Sequence, residues 1–397
     1  MHKRAKGRNP LGGSSTACPE LIVYNGELHT QEPENPAASA AAVADGRFTA
    51  VGDDADVLEM RRADTRCIDL GGRRVLPGLI DAHFHFRSWS LSRRWLSLAD
   101  AGSRADVRRR VTARAAQRSS GTWIIGQGWN ESRWPDPGKP TRGDLDEAAP
   151  ENPVLLWRSD GHLAVVNTRA LQEAGIDAET PDPPQGCIDR DAAGEPTGVL
   201  RELAVNCVRD VIPVPSEGET VAAMREGMRV LHGLGLTGLH DPRNMGGSDG
   251  IPAFRAYQRL QAAGELDLRL WMCIPGERLA EAVALGLRSG FGDRYLRVGH
   301  VKLFADGSQG ARTAWMLEPY EDTGDVGMPL TPMTEVAMAI READQAGLSV
   351  AVHAIGDRTN RELIRVFREH ASRGARRIPH RIEHAQFIRS EDIERLA

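Results

Sequence analysis

Five residues able to hold a metal ion or move a proton lie in or at the ends of short apolar runs. Leu76–Phe86, LPGLIDAHFHF, opens with a Pro-Gly break, carries Leu79 and Ile80, and closes on His83 and His85. Apolar residues bounded by Pro and Gly read as a buried strand of a parallel sheet. Alternate side chains of a strand share a face, so His83 and His85 point the same way. Two neutral imidazoles on one face suit zinc and its neighbours; the plainer reading is two histidines that merely finish a strand. Gly347–Gly356, GLSVAVHAIG, is a second such run, with His353 at its end. His380–Gln386, HRIEHAQ, is a third, with His384, and Val298–Asp306, VGHVKLFAD, carries Lys302 in an apolar setting.

Each run reads as a parallel strand leading to a helix. A (β/α)8 barrel brings such strand ends to one face, where catalytic residues collect. Counting from the histidine pair, the strands continue through Gly235–His240, Asp267–Cys273 and the runs bearing Lys302, His353 and His384, with helices at Val221–His232 and Ala280–Leu287. That makes strands one to six, with a sixth helix starting at Ser390–Ala397. The expected fold is therefore α/β, an incomplete (β/α)8 TIM barrel over residues 76–397. Residues 20–75 alternate β-rich runs with Asn-Gly and Asp-Gly turns, which is hairpin chemistry. Residues 1–19 are basic, then Gly/Ser-rich, and lack the apolar core of a signal peptide, so they read as a disordered leader.

An insertion of about 95–215 interrupts the strand–helix rhythm just after the His-x-His strand. Asp106–Arg118 is a basic, Ala-rich helix, and Ala178–Pro196 reads as an exposed loop. Trp89, Trp95, Trp123, Trp129, Trp134 and Trp157 fall between the first strand and the end of this region. Loops leaving that end of a barrel sit over the active site, so the insertion is expected to cover the pocket, with Trp129, Asp160 and His162 facing a substrate. The alternative is that the tryptophans form the small core of the inserted subdomain.

A lysine in an apolar strand has a lowered pKa and offers a neutral amine; alternatively Lys302 is salt-bridged to Asp306 or Asp241. Asp306 opens the loop after its strand and is a candidate substrate contact, and Arg312 beyond it either holds a substrate carbonyl or carboxylate or pairs with Glu318. Asp357 either orients His353 or caps the next helix. Charged residues make up 26% of the 397 and the net charge is -5, which offers no general attraction to nucleic acid or an anionic membrane. No apolar run is long enough to span a bilayer. Cys18, Cys67, Cys187, Cys207 and Cys273 are scattered without a Cys-x-x-Cys, which fits reduced thiols in a cytoplasm.

LPGLIDAHFHF, GQGWNESRWPDP, LLWRSDGHLAVVN, GLTGLHD, KLFADGSQGARTAW, AVHAIGD and RIEHAQ together resemble the amidohydrolase superfamily, and within it the amidohydrolase-3 group of YtcJ-like and N-substituted formamide deformylase-like proteins. The resemblance implies a TIM barrel of the metal-dependent hydrolase type, with the N-terminal module as half of a small β-sandwich. It implies hydrolysis of non-peptide C–N bonds of amide or formamide type in a small-molecule substrate, through a metal-activated water. It also implies one or two divalent ions, zinc foremost, held by His83, His85, His353 and His384, with Lys302 carboxylated between two metals. Lys302, His353 and His384 then carry the catalytic roles. Family members also bear an aspartate at the end of strand eight, which nothing after His384 supplies. The competing expectation is accordingly a truncated, non-catalytic relative that keeps the fold. A homo-oligomer fits either reading.

Overall fold

The computed structural model describes residues 18–135, 138–159, 161, 163–183, 186–242, 250–309, 312–321, 323–370 and 378–396. Asp160 and His162 lie outside them, as does the expected leader up to residue 17. The chain divides into two compact units, Met1–Leu79 and Ile80–Ala397.

The first unit contains β1 (Leu21–Tyr24), β2 (Glu27–Glu32), β3 (Asn35–Ala38), β4 (Ala40–Ala44), β5 (Arg47–Gly52), α1 (Asp54–Leu58), β6 (Arg66–Asp69) and β7 (Arg74–Val75). One sheet runs β5-β4-β1-β6 and a smaller one β3-β2-β7. Asp45 and Gly46, at φ 51° and 67°, make the left-handed turn that the antiparallel β4–β5 hairpin requires. Asn25 is also left-handed, at φ 56°, yet β1 and β2 belong to different sheets. The Asn25-Gly26 turn therefore passes the chain between sheets instead of closing a hairpin. A turn sequence specifies local dihedrals, and the wider packing decides which strands pair. Ile22, Ala40, Ala42 and Val57 form this unit's core.

β8 (Leu79–Asp81) leads directly to α2 (Phe86–Ser92), whose N-cap is His85. The expected strand is thus shorter than its apolar pattern, and both histidines lie in the link that follows it. Leu79 and Ile80 are 54% and 61% exposed, contrary to the buried strand expected. The reason is position: β8 is the outer strand of its sheet, and an outer strand keeps more surface in water.

A separate mixed sheet follows, built from β9 (Leu96–Ser97), β10 (Ile124–Trp129), β11 (Val154–Arg158), β12 (Leu163–Val166), β13 (Gly186–Arg190) and β14 (Pro196–Glu202). α3 (Arg104–Ala115), α4 (Arg142–Ala148), α5 (Thr168–Glu173) and α6 (Ala204–Arg209) flank these strands. The order is β13-β14-β12-β11-β10-β9. Strand alternation feeds two cores. Leu156, Leu163 and Val165 pack with Val107 and Val111 of α3 and Leu145 of α4. Leu155, Ala164 and Val166 pack with Leu171 of α5 and Val205 of α6. Burial on both faces explains why these strands read as unbroken apolar runs. β13 lies inside Ala178–Pro196, which was expected to be loop; its ladder to antiparallel β14 supplies the order that its composition conceals.

The remaining elements are α7 (Glu217–Gly233), β15 (Leu236–Asp241), α8 (Gly250–Ala262), β16 (Arg269–Pro275), α9 (Leu279–Ala284), β17 (Leu296–Phe304), α10 (Met333–Gln345), β18 (Ser349–Ala354), α11 (Asp357–His370), β19 (Arg381–His384) and α12 (Ser390–Ile393). The sheet order β8-β15-β16-β17-β18-β19 follows the sequence, and β15 to β19 run parallel. α7 starts at a Ser216–Glu219 capping box and turns Val221, Met224, Met228 and Leu231 into a core shared with Phe86 and Tyr257. Val301, Val350 and Val352 pack against Val336 and Ile340 of α10 and Leu363 of α11. The sheet curls into a half-barrel. Arg381 of β19 donates from Nη2 to the Ala82 carbonyl just past β8, at 2.6 Å, across the mouth of the curl.

Candidate metal centre

The curl gathers imidazoles from three strand ends. The His83 ring lies 5.4 Å from that of His85 and 4.8 Å from that of His384, and His384 lies 4.6 Å from His353, centroid to centroid. His353 is in line with its strand. His384 is not, because its φ of 70° and the 46° of Ala385 break the extended backbone there. Left-handed residues other than glycine are uncommon, and they concentrate where function over-determines the backbone. Burial lowers the pKa of His353, opposed by its hydrogen bond to the Gly307 carbonyl at 3.0 Å. Burial, with the charges of His353, His83 and Lys302, takes His384 down to about 4. Both rings are accordingly neutral near pH 7, the form that binds metal.

Lys302 is 2% exposed, and its Nζ has no hydrogen-bond partner among the described residues. It sits 4.7 Å from the centroid of Phe304, whose ring is 5.5 Å from that of His353. Burial lowers the ammonium to about 8 against the opposing pull of Glu383. Neither carboxylate considered as its partner takes that role. Asp306 is engaged by other donors, and Asp241 accepts from the Tyr257 hydroxyl.

Two residues that the sequence reading passed over complete the cluster. Glu383, 4% exposed, accepts a very short hydrogen bond from His83 Nδ1 and is ion-paired to Arg381 at 2.7 Å. Burial alone would raise its pKa. The His83 hydrogen bond and the charges of Arg381, His83 and Lys302 outweigh that and hold it at about 2. Arg381 also reaches Nδ1 of His240 at 2.5 Å. The available signal was a charged pair at i, i+2 in a short strand, which puts both on one face. His300 on β17 is buried, and its Nε2 lies 3.1 Å from the Pro379 carbonyl.

Other expected site residues have structural partners, and of these Asp306 lies beside the cluster, its Oδ1 3.8 Å from His353 Nε2. Trp129 is fully buried in the insertion, donating from Nε1 to the Leu156 carbonyl at 3.1 Å and packing 6.3 Å from Trp134. It packs in the core of the insertion, the alternative that the sequence left open, because a small subdomain fills its interior with its largest rings. Asp306 is also fully buried. It accepts from the amides of Trp315, Ile355 and Gly356 and from the Thr359 hydroxyl, all within 3.0 Å. That makes it a staple between the loop after β17 and the β18–α11 turn. Arg312 stacks over Tyr320 at 5.3 Å, and Glu318 pairs with Arg389. Asp357 begins α11, accepts from the Leu317 amide and pairs with Arg389 at 2.9 Å.

Among the described residues no three His, Cys, Asp or Glu side chains already stand as a coordination sphere. The donor chemistry nevertheless fits a divalent ion. His83 uses Nδ1 on a carboxylate and His353 uses Nε2 on a carbonyl, both acceptors, so each engaged nitrogen carries a proton, and in the neutral ring the other nitrogen is the one that offers a lone pair. An orphaned buried amine beside them adds a further potential ligand.

A curled, largely parallel sheet whose strands alternate with helices, with polar side chains gathered at the carboxyl ends of its strands, makes this an α/β protein built on a half-barrel. The amidohydrolase family model matches residues 66–397, and the chain belongs to that family. It is 33% identical over 381 residues to the putative amidohydrolase YtcJ of Bacillus subtilis, covering 95% of this chain and 71% of that protein. It is 29% identical over 358 residues to the N-substituted formamide deformylase of Arthrobacter pascens, covering 86% of this chain and 64% of that one. An uncharacterized metal-dependent hydrolase from Pyrococcus furiosus superposes with a TM-score of 0.76 at 29% identity, over 95% of this chain and 74% of the other. The chain thus spans about two thirds to three quarters of the length of these relatives. No helix among the described residues is long and apolar enough to cross a membrane.

Proposed function

We propose that this chain carries the metal site of a hydrolase acting on non-peptide C–N bonds, of amide or formamide type, in a small-molecule substrate. The observation that carries the reading is the chain of imidazoles from His85 through His83 and His384 to His353, beside the unpartnered amine of Lys302. The likeness to a formamide deformylase supports the bond type.

His83, His85, His353 and His384 would hold one or two divalent ions, and imidazole donors suit zinc. When bound, such an ion supplies Lewis acidity and lowers the pKa of water towards about 7. Lys302 contributes through its lowered pKa. Its neutral fraction can attack carbon dioxide through Nζ and release a proton, leaving an anionic carbamate in place of a buried cation. Glu383 holds the His83 ring, and the Gly307 carbonyl holds that of His353.

The test is metal-stripped chain reloaded with zinc, manganese or cobalt, assayed for bound metal and for amine release from N-substituted formamides and simple amides. One or two equivalents of ion and release of amine are expected. No bound ion after reloading overturns the metal site, whereas full loading without amine release from any amide overturns the C–N assignment.

A further inference from the structure

We infer that Glu383, held by Arg381, is the positioning residue for His83, selecting which of its ring nitrogens carries the proton. The consequence for metal affinity rests on the metal-site reading above; the positioning itself does not.

His83 follows β8, while Glu383 lies on β19, at the opposite end of the sheet order with four strands between them. Their contact is therefore no by-product of a strand ladder. It spans the hollow of the curl, and three contacts define it. The His83 amide donates to Asp81 Oδ1 at 3.0 Å, the Ala82 carbonyl accepts from Arg381 Nη2 at 2.6 Å, and the His83 ring donates from Nδ1 to Glu383 Oε2. Arg381 closes the arrangement by pairing with Glu383 Oε1 at 2.7 Å. β19 thus holds both the Ala82 carbonyl and the ring of the next residue, His83, in the link that follows β8.

An ionised carboxylate only accepts hydrogen bonds, so His83 Nδ1 carries the proton of this contact, and in the neutral ring that leaves the lone pair on Nε2. A carboxylate behind a ligating imidazole also raises its donor strength, and loss of such a partner weakens metal binding by about 10–100-fold. A merely structural ion pair would need Arg381 and Glu383 but would leave the ring of His83 free to adopt either tautomer.

The experiment uses the full chain, metal-free, with 15N-labelled histidine, and reads the His83 nitrogen shifts by NMR for wild type, Glu383→Ala and Glu383→Gln. Wild type is expected to show Nδ1–H. Glu383→Ala is expected to lose that preference, and Glu383→Gln, which retains an acceptor oxygen, to keep it. Zinc affinity by chelator competition is expected to fall about 10–100-fold in Glu383→Ala and less than tenfold in Glu383→Gln. A proton on Nε2 in wild type, or an unchanged tautomer in Glu383→Ala, overturns the inference. If Glu383→Ala does not fold, wild type and Glu383→Gln decide: Nδ1–H in both upholds it and Nε2–H in wild type sinks it. A tautomer that shifts as expected in a chain that binds no zinc upholds the positioning role and refutes the metal reading instead.

Discussion

Replacing Lys302 by Met should stabilise the metal-free chain at neutral pH. Lys302 is 2% exposed, and burial takes its ammonium from 10.5 to about 8. Such a fall corresponds to about 3 kcal/mol of native-state penalty on the charged form. The Phe304 ring, 4.7 Å from Nζ, returns up to about 2 kcal/mol of that as a cation–π contact. Methionine fills a similar volume with no charge, so the expected gain at pH 7 is about 1–3 kcal/mol. The sign follows from proton binding. Between about 8 and 10.5 the unfolded chain holds a proton on this lysine that the folded chain has released, so wild-type stability rises with pH across that window. The advantage of methionine is full below about 8 and should be nearly gone above 10.5. The assay is urea unfolding followed by tryptophan fluorescence, in chelator and carbon dioxide-free buffer, on both proteins from neutral to alkaline pH. A variant less stable than wild type at pH 7, or a difference that does not shrink with rising pH, would refute the desolvation argument.

Asp306→Asn should cost about 3–5 kcal/mol in the same unfolding assay, because it turns one of two engaged acceptor oxygens into a donor facing donors and weakens the charged hydrogen bonds that remain; a loss under about 1 kcal/mol would contradict the staple role. Trp129→Ala should lose about 3–5 kcal/mol of stability while zinc affinity stays within about twofold of wild type, as measured by chelator competition; a large change in affinity would return Trp129 to the site. Ala385→Gly should raise the melting temperature modestly, since relief of about 1–2 kcal/mol of left-handed strain exceeds the added chain entropy of about 0.5–1 kcal/mol; a lower melting temperature would mean that Ala385 is not strained.

Much of the parallel sheet was legible in sequence. Gly235–His240, Val298–Asp306 and Gly347–Gly356 each announced a strand through a short apolar run bounded by turn residues, and the observed strands lie within a residue or two of those bounds. His353 and His384 fall at the ends of β18 and β19 as such runs suggest, whereas His83 and His85 lie in the link after β8 instead of on one face of a strand. Exposure was not legible. Leu79 and Ile80 carry the pattern of a buried strand, yet water reaches them because β8 is outermost, and a local pattern cannot state a strand's rank in the sheet. The insertion's tryptophans were equally ambiguous, because large rings suit both a pocket and a small core.

Residue type and spacing alone determined that Lys302, His353 and His384 line or end strands of one sheet and that His83 and His85 follow a strand of it, because apolar periodicity is a local property of the chain. Tertiary structure alone decided what surrounds them. Glu383 meets His83 across 300 residues of sequence, Asp306 is consumed by backbone amides, and Lys302 is left without a partner among the described residues. These are consequences of curling, which brings the ends of distant strands together in a space where water no longer satisfies charge, so each polar group must find a partner or shift its pKa.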